Sequence, residues 1–592
     1  MDRLIKHTYY FSRFTRILFS GIVLTVVSTS FLNAQGLIVN SGAKLINRGN
    51  LILTTGDLTN NGLVTDSSGT IILTSTTQSI NGSSAVAFNN LTLSSGNTTT
   101  MSTAGQTLKG ILLANGTLNT NAYLTLLSTS SRTALIDGSG TGQVNGSVTM
   151  QRYLSVGFGY KYFSSPFQAA TVNEFGDDMD LSASFPTFFK YDESRTSSGW
   201  VTYTNITGLL NPMEGYAVNF GTDISPNTVD VTGDVNNGSI SVTLYNNHNT
   251  YTNGFNLIGN PYPSPIDWDA LSGWTKTNID DGIYYFLPST TDQYGGTYSS
   301  YVNGISSDGE ATNVIPSMQG IFVHVSDGSY PVTATLGLNN QVRINDLTHP
   351  FLKSKQVETR FFIRLAVRFT NDSLSSDPMV IYFDDEANEG FDSKLDALKL
   401  INTDLNVPNL YSLIPGGAML SINALPEMTD TNLFVPLGIT TYKSGEISFS
   451  IRDIENLPQD IRIYLHDEIA DINYDLLPDK EYKININEGT YFNRFTLGFE
   501  KTNTTDVHEI ESITDIFSVH SLHGIVKTNI GSLKNREGMI YLFDILGHQI
   551  FTRKIFEEGL YEFDTQLKPG IYVVTFVTGN IKQSRKIFIS NK

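Results

Sequence analysis

Residues 50–73 read NLILTTGDLTNNGLVTDSSGTIIL, and this stretch carries the pattern that decides the fold of the N-terminal region. Runs of two or three apolar residues alternate with turns rich in Gly, Asn, Ser and Thr. Glycines at 42, 49, 56, 62 and 69 recur at a spacing near seven, which a coiled coil would share. Because each Gly would cost a helix about 1 kcal/mol, the pattern predicts short strands separated by tight turns.

The same pattern continues over residues 36–149, where we favour a β-solenoid. In that fold, each rung of short strands buries its apolar side chains on the next rung, while Asn and Thr line the outside. The alternative is a meander of hairpins, with Asn60-Asn61-Gly62, Asn81-Gly82 and Asn115-Gly116 as the turns. The residues alone leave both arrangements open.

Aromatic residues become more frequent over residues 150–350, and an internal pseudo-repeat emerges there. Each copy has a strand ending near proline, an aromatic strand, and a loop followed by a glycine-led strand. Proline is tolerated at a strand end because it cannot donate to the ladder. We predict a β-sandwich region in which the copies form one sandwich or two small ones. The paired segments are 162–167 (YFSSPF) with 257–262 (LIGNPY), 188–191 (FFKY) with 283–286 (IYYF), and 211–218 (NPMEGYAV) with 315–323 (IPSMQGIFV).

A third β block spans residues 356–500 and has the pattern of another sandwich, with strands separated by short polar turns. Residues 501–512 are polar, lack periodicity and are predicted to form a linker. The strands of the third block are predicted at 361–367, 378–383, 445–451, 461–465 and 492–497.

Composition limits the class of protein. A chain of 592 residues is too long for one core, and its lack of cysteine excludes disulfides, thiolate nucleophiles and Cys-ligated zinc. The formal charge of −19 argues against nucleic acid or an anionic membrane as a partner, because phosphate binding needs clustered Lys and Arg. Few segments show a 3.6-residue period, so the chain is predicted to be mainly β.

Residues 1–34 have the pattern of a secretory signal peptide. A basic segment precedes a mostly apolar stretch, residues 17–27, and Leu32-Asn33-Ala34 is a suitable cleavage site. The alternative is a transmembrane anchor, but the apolar stretch is shorter than the roughly 20 residues that span a bilayer. Removal of this leader, with its four basic residues and Asp2, would change the formal charge to −22.

The C-terminal region, residues 513–592, is predicted to form about seven short strands. Residues 539–550 read as a strand, a tight turn containing Gly547, and the next strand. A Pro-Gly corner opens a final hairpin of alternating apolar residues. The residues that define these features are Asp544, Gly547, Pro569, Gly570, Tyr572, Gly579 and Lys586.

These motifs occur in order over about 75 residues, and together they resemble the type A C-terminal sorting domain of the type IX secretion system of Gram-negative bacteria. The resemblance implies a small β-sandwich that the outer-membrane secretion machinery recognises. It also implies cleavage near the preceding linker and attachment to surface lipopolysaccharide. An ordinary terminal β-domain without a sorting role is the alternative.

Acidic clusters are the candidate metal ligands. Asp384-Asp385-Glu386, with Glu389, Asp392 and Asp396 nearby, would suit calcium, which takes six to eight oxygen ligands from flexible loops. The spacing is not that of an EF-hand, and solvated turns explain the same residues. Calcium is therefore the only cofactor that the sequence suggests. Asp280-Asp281-Gly282 and Asp267-Trp268-Asp269 are shorter clusters of the same kind.

No catalytic motif is present in the sequence. His248, His324, His349 and His466 stand alone, there is no His-Glu-x-x-His, and no Gly-x-Ser-x-Gly elbow supports a serine nucleophile. Paired carboxylates for glycoside hydrolysis cannot be selected from so many acids. The charged residues of the solenoid region are scattered singly, at Lys44, Arg48, Asp57, Asp66, Lys109, Arg132 and Asp137.

Aromatic residues are the more informative candidates for binding. A Gly-Ser-Thr-rich loop region carries several tyrosines, and three tryptophans add flat rings that could stack on sugars. Packing in the core or at sheet edges is the alternative. These residues are Tyr284, Tyr285, Tyr294, Tyr298, Tyr301, Trp200, Trp268 and Trp274.

The sequence therefore favours a secreted or cell-surface, multidomain β-protein without enzymatic activity, in which an adhesin-like surface binds a glycan or matrix ligand. The alternative is an extracellular carbohydrate-active enzyme or other hydrolase with a site between β modules.

Overall fold

The structure is a computed structural model. It describes residues 36–348, 358–372, 375–428, 432–478, 480–501, 517–522, 525–530, 537–545, 547–564, 567–568, 570–578 and 581–589, with three short strands between residues 17 and 34. Nearly all regular structure in these ranges is β, which confirms the predicted fold class. No helix in the same ranges has the length and apolar character of a membrane span. The chain divides into two compact units, 1–502 and 503–592.

The N-terminal region is a β-solenoid, as predicted. Its strands form three parallel sheets, β1-β4-β7-β10-β13-β16-β19, β2-β5-β8-β11-β14-β17-β20 and β3-β6-β9-β12-β15-β18. The strands are β1 (Ile17–Phe19), β2 (Val23–Val26), β3 (Leu32–Ala34), β4 (Leu37–Val39), β5 (Lys44–Asn47), β6 (Asn50–Leu53), β7 (Leu58–Asn60), β8 (Leu63–Asp66), β9 (Thr70–Leu73), β10 (Thr77–Asn81), β11 (Val86–Phe88), β12 (Asn90–Leu93), β13 (Thr98–Met101), β14 (Gln106–Leu108), β15 (Ile111–Ala114), β16 (Thr117–Asn119), β17 (Leu124–Leu126), β18 (Leu135–Ile136), β19 (Gln143–Asn145) and β20 (Ser147–Leu154).

Parallel pairing decides between the solenoid and the hairpin meander. Ile71 pairs with Leu51 of the preceding rung and with Leu91 of the following rung, and all three side chains are buried. Most strands bury alternate residues. The sheet that contains β6, β9 and β12 therefore turns two columns of apolar side chains inward, Leu51-Ile71-Leu91 and Leu53-Leu73-Leu93. The hairpin alternative is wrong, and its Asn-Gly turns are corners between successive strands of a rung.

The corners bring the backbones of neighbouring rungs into close contact. A Cβ atom added to Gly62 would lie 2.4 Å from the carbonyl oxygens of Asn40 and Ala43, and one added to Gly82 would lie 2.1 Å from that of Asn60. Glycine is thus required at these corners because no side chain fits between the rungs. Close contact between rungs therefore explains Gly62, whereas Gly42 has no such neighbour and has a φ of +78°.

The predicted leader overlaps the first three strands, β1 to β3, which pair in parallel with β4 to β6. The rest of residues 1–34 lies outside the described residues, so cleavage of a signal peptide stays a prediction. The predicted boundary near residue 149 lies within β20, which pairs antiparallel with β26 (Asn227–Val235) of the central region.

The central region contains the two segments of the predicted pseudo-repeat. The two copies form sheets of the same strand order, β21-β25-β23-β24 and β28-β35-β31-β32, and β33 extends the second sheet. The remaining strands are β21 (Tyr160–Phe163), β22 (Phe167–Gln168), β23 (Phe188–Tyr191), β24 (Trp200–Thr202), β25 (Tyr216–Asn219), β27 (Ile240–Asn246), β28 (Phe255–Gly259), β29 (Ile266–Asp267), β30 (Trp274–Thr277), β31 (Ile279–Pro288), β32 (Gly296–Val302), β33 (Ile305–Ser306), β34 (Val314–Ile315), β35 (Gly320–Val325) and β36 (Val332–Leu338), with short 3₁₀ helices at Val172–Phe175 and Asn340–Val342.

Reciprocal contacts relate the two copies. Phe163 of the first copy forms a β-bridge with Gln319 of the second. Ile258, the counterpart of Phe163, forms a bridge with Glu214, the counterpart of Gln319. The pair of contacts gives the central region an approximate two-fold symmetry.

One aromatic core lies between the two copies. Tyr162 of the first copy stacks on Phe286 of the second, with ring centroids 4.7 Å apart. Tyr191 of the first copy packs edge-on against Phe322 of the second at 4.9 Å. The two copies therefore form a single sandwich, which settles the choice that the sequence left open.

The third block is one curled sheet of 11 strands rather than two separate sheets. Alternate residues of most strands converge on a single core, while Phe362, Val380 and Tyr382 face the core of the central sandwich. The strands are β37 (Phe362–Phe369), β38 (Asp377–Phe383), β39 (Ala397–Leu398), β40 (Asn409–Leu413), β41 (Met419–Leu425), β42 (Leu433–Thr441), β43 (Gly445–Glu455), β44 (Ile461–Asp467), β45 (Ile472–Asp475), β46 (Glu481–Ile486) and β47 (Gly489–Lys501).

The C-terminal unit is a small sandwich of seven described strands. Its sheets, β48-β49-β52 and β51-β50-β53-β54, share a core that includes Phe517 and Phe576. The predicted linker lies outside the described residues except for Lys501. The strands are β48 (Phe517–Leu522), β49 (Ile525–Ile530), β50 (Gly538–Asp544), β51 (Gln549–Ile555), β52 (Gly559–Asp564), β53 (Gly570–Thr578) and β54 (Ile581–Ile589).

Candidate functional site

The sorting-type motif centres on the turn between β50 and β51. The Gly547 amide donates to the carbonyl of Asp544 at 3.1 Å, and the Asp544 amide donates to the carbonyl of His548 at 3.0 Å. The Asp544 carboxylate accepts the His548 amide at 2.9 Å and lies 2.9 Å from Nδ1 of the same residue. Gly547 has a φ of +84°, which favours glycine at this position.

The other motif residues lie in the same sheet. Tyr572 in β53 is the direct partner of Asp544 in β50, and Lys586 in β54 is the partner of Val573, one position along. The turn and the terminal hairpin therefore lie next to each other in one sheet, and the side chain of Lys586 is exposed. Gly570 begins β53, whereas Pro569 and Gly579 lie outside the described residues.

Three of the acids proposed for calcium, Asp384, Asp392 and Asp396, already have ion-pair or hydrogen-bond partners within the protein. Asp384 pairs with Arg360 at 3.2 Å, and Asp392 accepts the Lys394 amide at 2.9 Å. Asp396 is buried and accepts backbone amides from Asp392 and Ala424, each at 2.7 Å. Among the described residues, no group of three or more His, Asp or Glu side chains is placed to hold a metal ion. These contacts favour the turn interpretation of the cluster.

Burial has a clear effect on the pKa of Asp396. Loss of solvent raises its pKa to about 7, although the two amide hydrogen bonds act in the opposite direction. Asp66, inside the solenoid, is similar. Its carboxylate accepts N–H groups from Asn47, Gly69, Asn89 and Asn90, yet burial raises its pKa to about 6. Asp66 therefore joins three rungs and is not a surface acid available for polysaccharide cleavage.

His324 was interpreted from the sequence as isolated, and that interpretation is wrong. Its Nδ1 lies 2.6 Å from Oδ2 of Asp280, and Ser326 donates to the other carboxylate oxygen at 2.5 Å. The residues are 44 apart in sequence and meet because β31 pairs with β35. Both Ser and His contact the carboxylate, so the His is not placed to accept the Ser proton, as a catalytic triad requires. The group is a buried structural network.

Most of the aromatic residues proposed for binding lie in the core. Tyr284, Tyr285, Tyr301 and Trp268 are buried, which makes the exposed-ring hypothesis wrong for these four. Tyr298, Trp200 and Trp274 are partly buried, so their rings pack at sheet edges. Only Tyr294 of the proposed set has half of its surface exposed, at 50%.

Tyr294 belongs to an exposed cluster that we call the aromatic patch, formed by Tyr160, Phe185, Phe189 and Tyr294. Phe185 and Tyr294 meet edge-on with centroids 5.3 Å apart, and Phe185 is 55% exposed. Tyr160 and Phe189 complete a ring of contacts at 6.2 to 6.4 Å. Phe185 was missed because nothing in its local sequence distinguishes an exposed Phe from a core Phe.

The aromatic patch joins the two copies of the pseudo-repeat. Tyr160 and Phe189 lie on β21 and β23 of the first copy, whereas Tyr294 lies between β31 and β32 of the second. Burial raises the pKa of Tyr160, so its hydroxyl remains protonated and can donate a hydrogen bond. Flat rings beside hydroxyl groups can stack on a sugar face or hold an apolar side chain.

The segment of the chain that matches a known protein family lies within the first unit. A protein-family model described as Domain of unknown function (DUF8693) matches residues 54–499, more than half of the chain. The match begins directly after β6 and ends before the C-terminal unit. No curated protein matches the chain.

Proposed function

This chain belongs to the DUF8693 family, and from that premise we propose that it is a non-enzymatic recognition protein that the type IX secretion system delivers to the cell surface or medium. The solenoid acts as a rigid spacer, the central sandwich as the binding surface, and the C-terminal unit as the sorting domain. Outer-membrane secretion machinery is its partner during export, and a glycan or matrix ligand is its partner afterwards.

The observation that carries the export proposal is the separate C-terminal sandwich. It has its own core, and the family match stops at residue 499, before this unit begins. The Asp544–His548 turn and the terminal hairpin lie side by side in one sheet, where a receptor could bind both. A secretory leader at residues 1–34 would bring the chain to the periplasm first.

The recognition role is supported by the aromatic patch and by the environment of the acids. Phe185 and Tyr294 expose large rings that contact each other, and adjoining exposed rings of this kind mark interaction surfaces. In the described residues, burial raises the pKa of Asp66, Asp178 and Asp396, and Asp66 and Asp396 are buried and hydrogen-bonded to backbone. These features favour binding over the alternative of hydrolysis.

Export can be tested with a fusion protein. Residues 501–592 behind a signal peptide and a fluorescent reporter should carry the reporter outside a bacterium that has the secretion system. A matched fusion that ends at residue 568 lacks β53 and β54, and its reporter should remain in the periplasm. Retention of both reporters contradicts a sorting role, and release of both contradicts a role for the terminal hairpin.

Recognition can be tested by changing the aromatic patch. Replacing both Phe185 and Tyr294 by alanine should weaken binding to polysaccharide at least about tenfold, because each stacked ring contributes about 1 kcal/mol. Binding is measured on a panel of immobilised polysaccharides, and product release in the same assay tests the hydrolase alternative. Tyr251→Ala is the control, since Tyr251 is 70% exposed and lies outside the patch. Equal binding by the double variant and the parent protein contradicts the proposed surface.

A further inference from the structure

The third block contains a buried cation and anion in unusually close contact. The side chains of Lys399 and Asp377 are only 2% and 1% exposed. Asp377 is the first residue of β38, and Lys399 directly follows β39. Both strands pair with β41, so the two side chains project from neighbouring segments of one sheet.

The geometry of this pair differs from that of a surface ion pair. Lys399 Nζ lies 2.6 Å from both carboxylate oxygens of Asp377, and so it sits symmetrically against the Cγ carbon. In the described part of the chain, Nζ makes no other hydrogen bond that would draw it away. Oδ2 also accepts the backbone amide of Leu410 at 2.6 Å.

Burial of both charges favours a reaction between the two side chains. Two charges removed from water lose much of their solvation, and condensation to an amide and water removes both charges. The nitrogen of Lys399 is held against the carbonyl carbon of Asp377, and proximity of this kind lowers the barrier of a bimolecular reaction substantially.

We propose that Lys399 and Asp377 form an intramolecular isopeptide bond. Lys399 Nζ attacks Cγ of Asp377, a C–N bond forms, and the C–Oδ1 bond breaks. Oδ1 carries the proton received from the ammonium, takes a second proton from the attacking nitrogen, and leaves as water. Oδ2 becomes the amide oxygen, and the Leu410 N–H that already contacts it stabilises the charge that develops there. No oxidant or other co-reactant is needed.

The bond would be a covalent clamp in a chain that has no cysteine. It would close the segment between residues 377 and 399, which includes the acidic loop at 384–396. It would persist under reducing conditions, unlike a disulfide. Such a clamp suits a β-sheet protein exposed outside the cell, although the inference rests on the buried geometry and not on export.

Mass spectrometry of the purified full chain tests the proposal. The intact mass should be lower than the sequence mass by one water molecule. Trypsin should fail to cleave after Lys399, and digestion should yield a branched peptide in which residues 369–394 are joined to residues 395–443 through Asp377 and Lys399. A Lys399→Arg variant keeps the positive charge, and it should show neither the mass loss nor the branched peptide.

A second variant separates the chemistry from folding. Asp377→Asn keeps the shape of the side chain but lacks the carboxylate that takes the ammonium proton, so this variant should show its full sequence mass and no branched peptide. The proposal is overturned if the parent chain has its full sequence mass and is cleaved normally after Lys399. Loss of water without the branched peptide, as in a succinimide elsewhere, also overturns it.

Discussion

Alanine in place of Gly82 should lower the free energy of unfolding of the first unit by about 3 kcal/mol or more. The new Cβ would lie 2.1 Å from the carbonyl oxygen of Asn60 in the preceding rung. The φ of +117° at this position is also one that residues with a side chain rarely adopt. The atoms close to the new Cβ all belong to the backbone of Asn60. Relief of this contact therefore requires the two rungs to separate.

Gly96 provides the matched control for this substitution. Its φ of +76° is also positive, but a Cβ there has no neighbour within 4 Å. Gly96→Ala should therefore cost only about 1 kcal/mol, from conformation alone. Urea unfolding followed by circular dichroism measures both variants. Equal losses would show that the cost arises from backbone conformation and not from contact between rungs.

The first unit should lose about 2–3 kcal/mol of stability between pH 5 and pH 8 through Asp396 alone. Its pKa is about 7 in the folded protein, whereas the ordinary pKa of an aspartate side chain is 3.8. The folded state binds the proton more tightly than the unfolded state does. The stabilising contribution is therefore complete below about pH 4 and is lost as the pH rises through 7.

Comparison of unfolding curves at pH 5 and pH 8 isolates this contribution. Asp396→Asn removes the titrating group, so the variant should lack that part of the pH dependence. It should also be less stable at both pH values, because an amide cannot accept from Asp392 and Ala424 with both of its heavy atoms. Asp385→Asn, in an exposed part of the same loop, should retain the slope of the parent. An unchanged slope in Asp396→Asn would contradict the assignment.

The local pattern of apolar and turn residues predicted the strands but not how the strands pack. Apolar alternation and glycine turns were sufficient to predict the strands, and internal similarity was sufficient to predict the pseudo-repeat. The sequence could not say whether the Asn-Gly turns reverse the chain, because a hairpin turn and a solenoid corner use the same residues. Nor could it tell the buried ring of Tyr284 from the exposed ring of Tyr294, since both lie in similar aromatic segments.

At the candidate sites too, contacts between residues near in sequence were predictable, and contacts between distant residues were not. The Asp544–Gly547 turn was predictable because its hydrogen bonds join residues within five positions of one another. Asp280 with His324, Asp377 with Lys399, and Phe185 with Tyr294 were not predictable, because each pair is brought together by strand pairing or sheet packing over 22 to 109 positions of the chain.

By itself, the amino-acid sequence determined the β class and the short strands of the N-terminal region, since these follow from side-chain alternation and turn residues that act over a few positions. Only the tertiary structure decided the parallel stacking of the rungs, the single sandwich formed by both copies, and the burial of the acids and rings. Those features depend on contacts between distant segments, where desolvation and close packing outweigh any local preference.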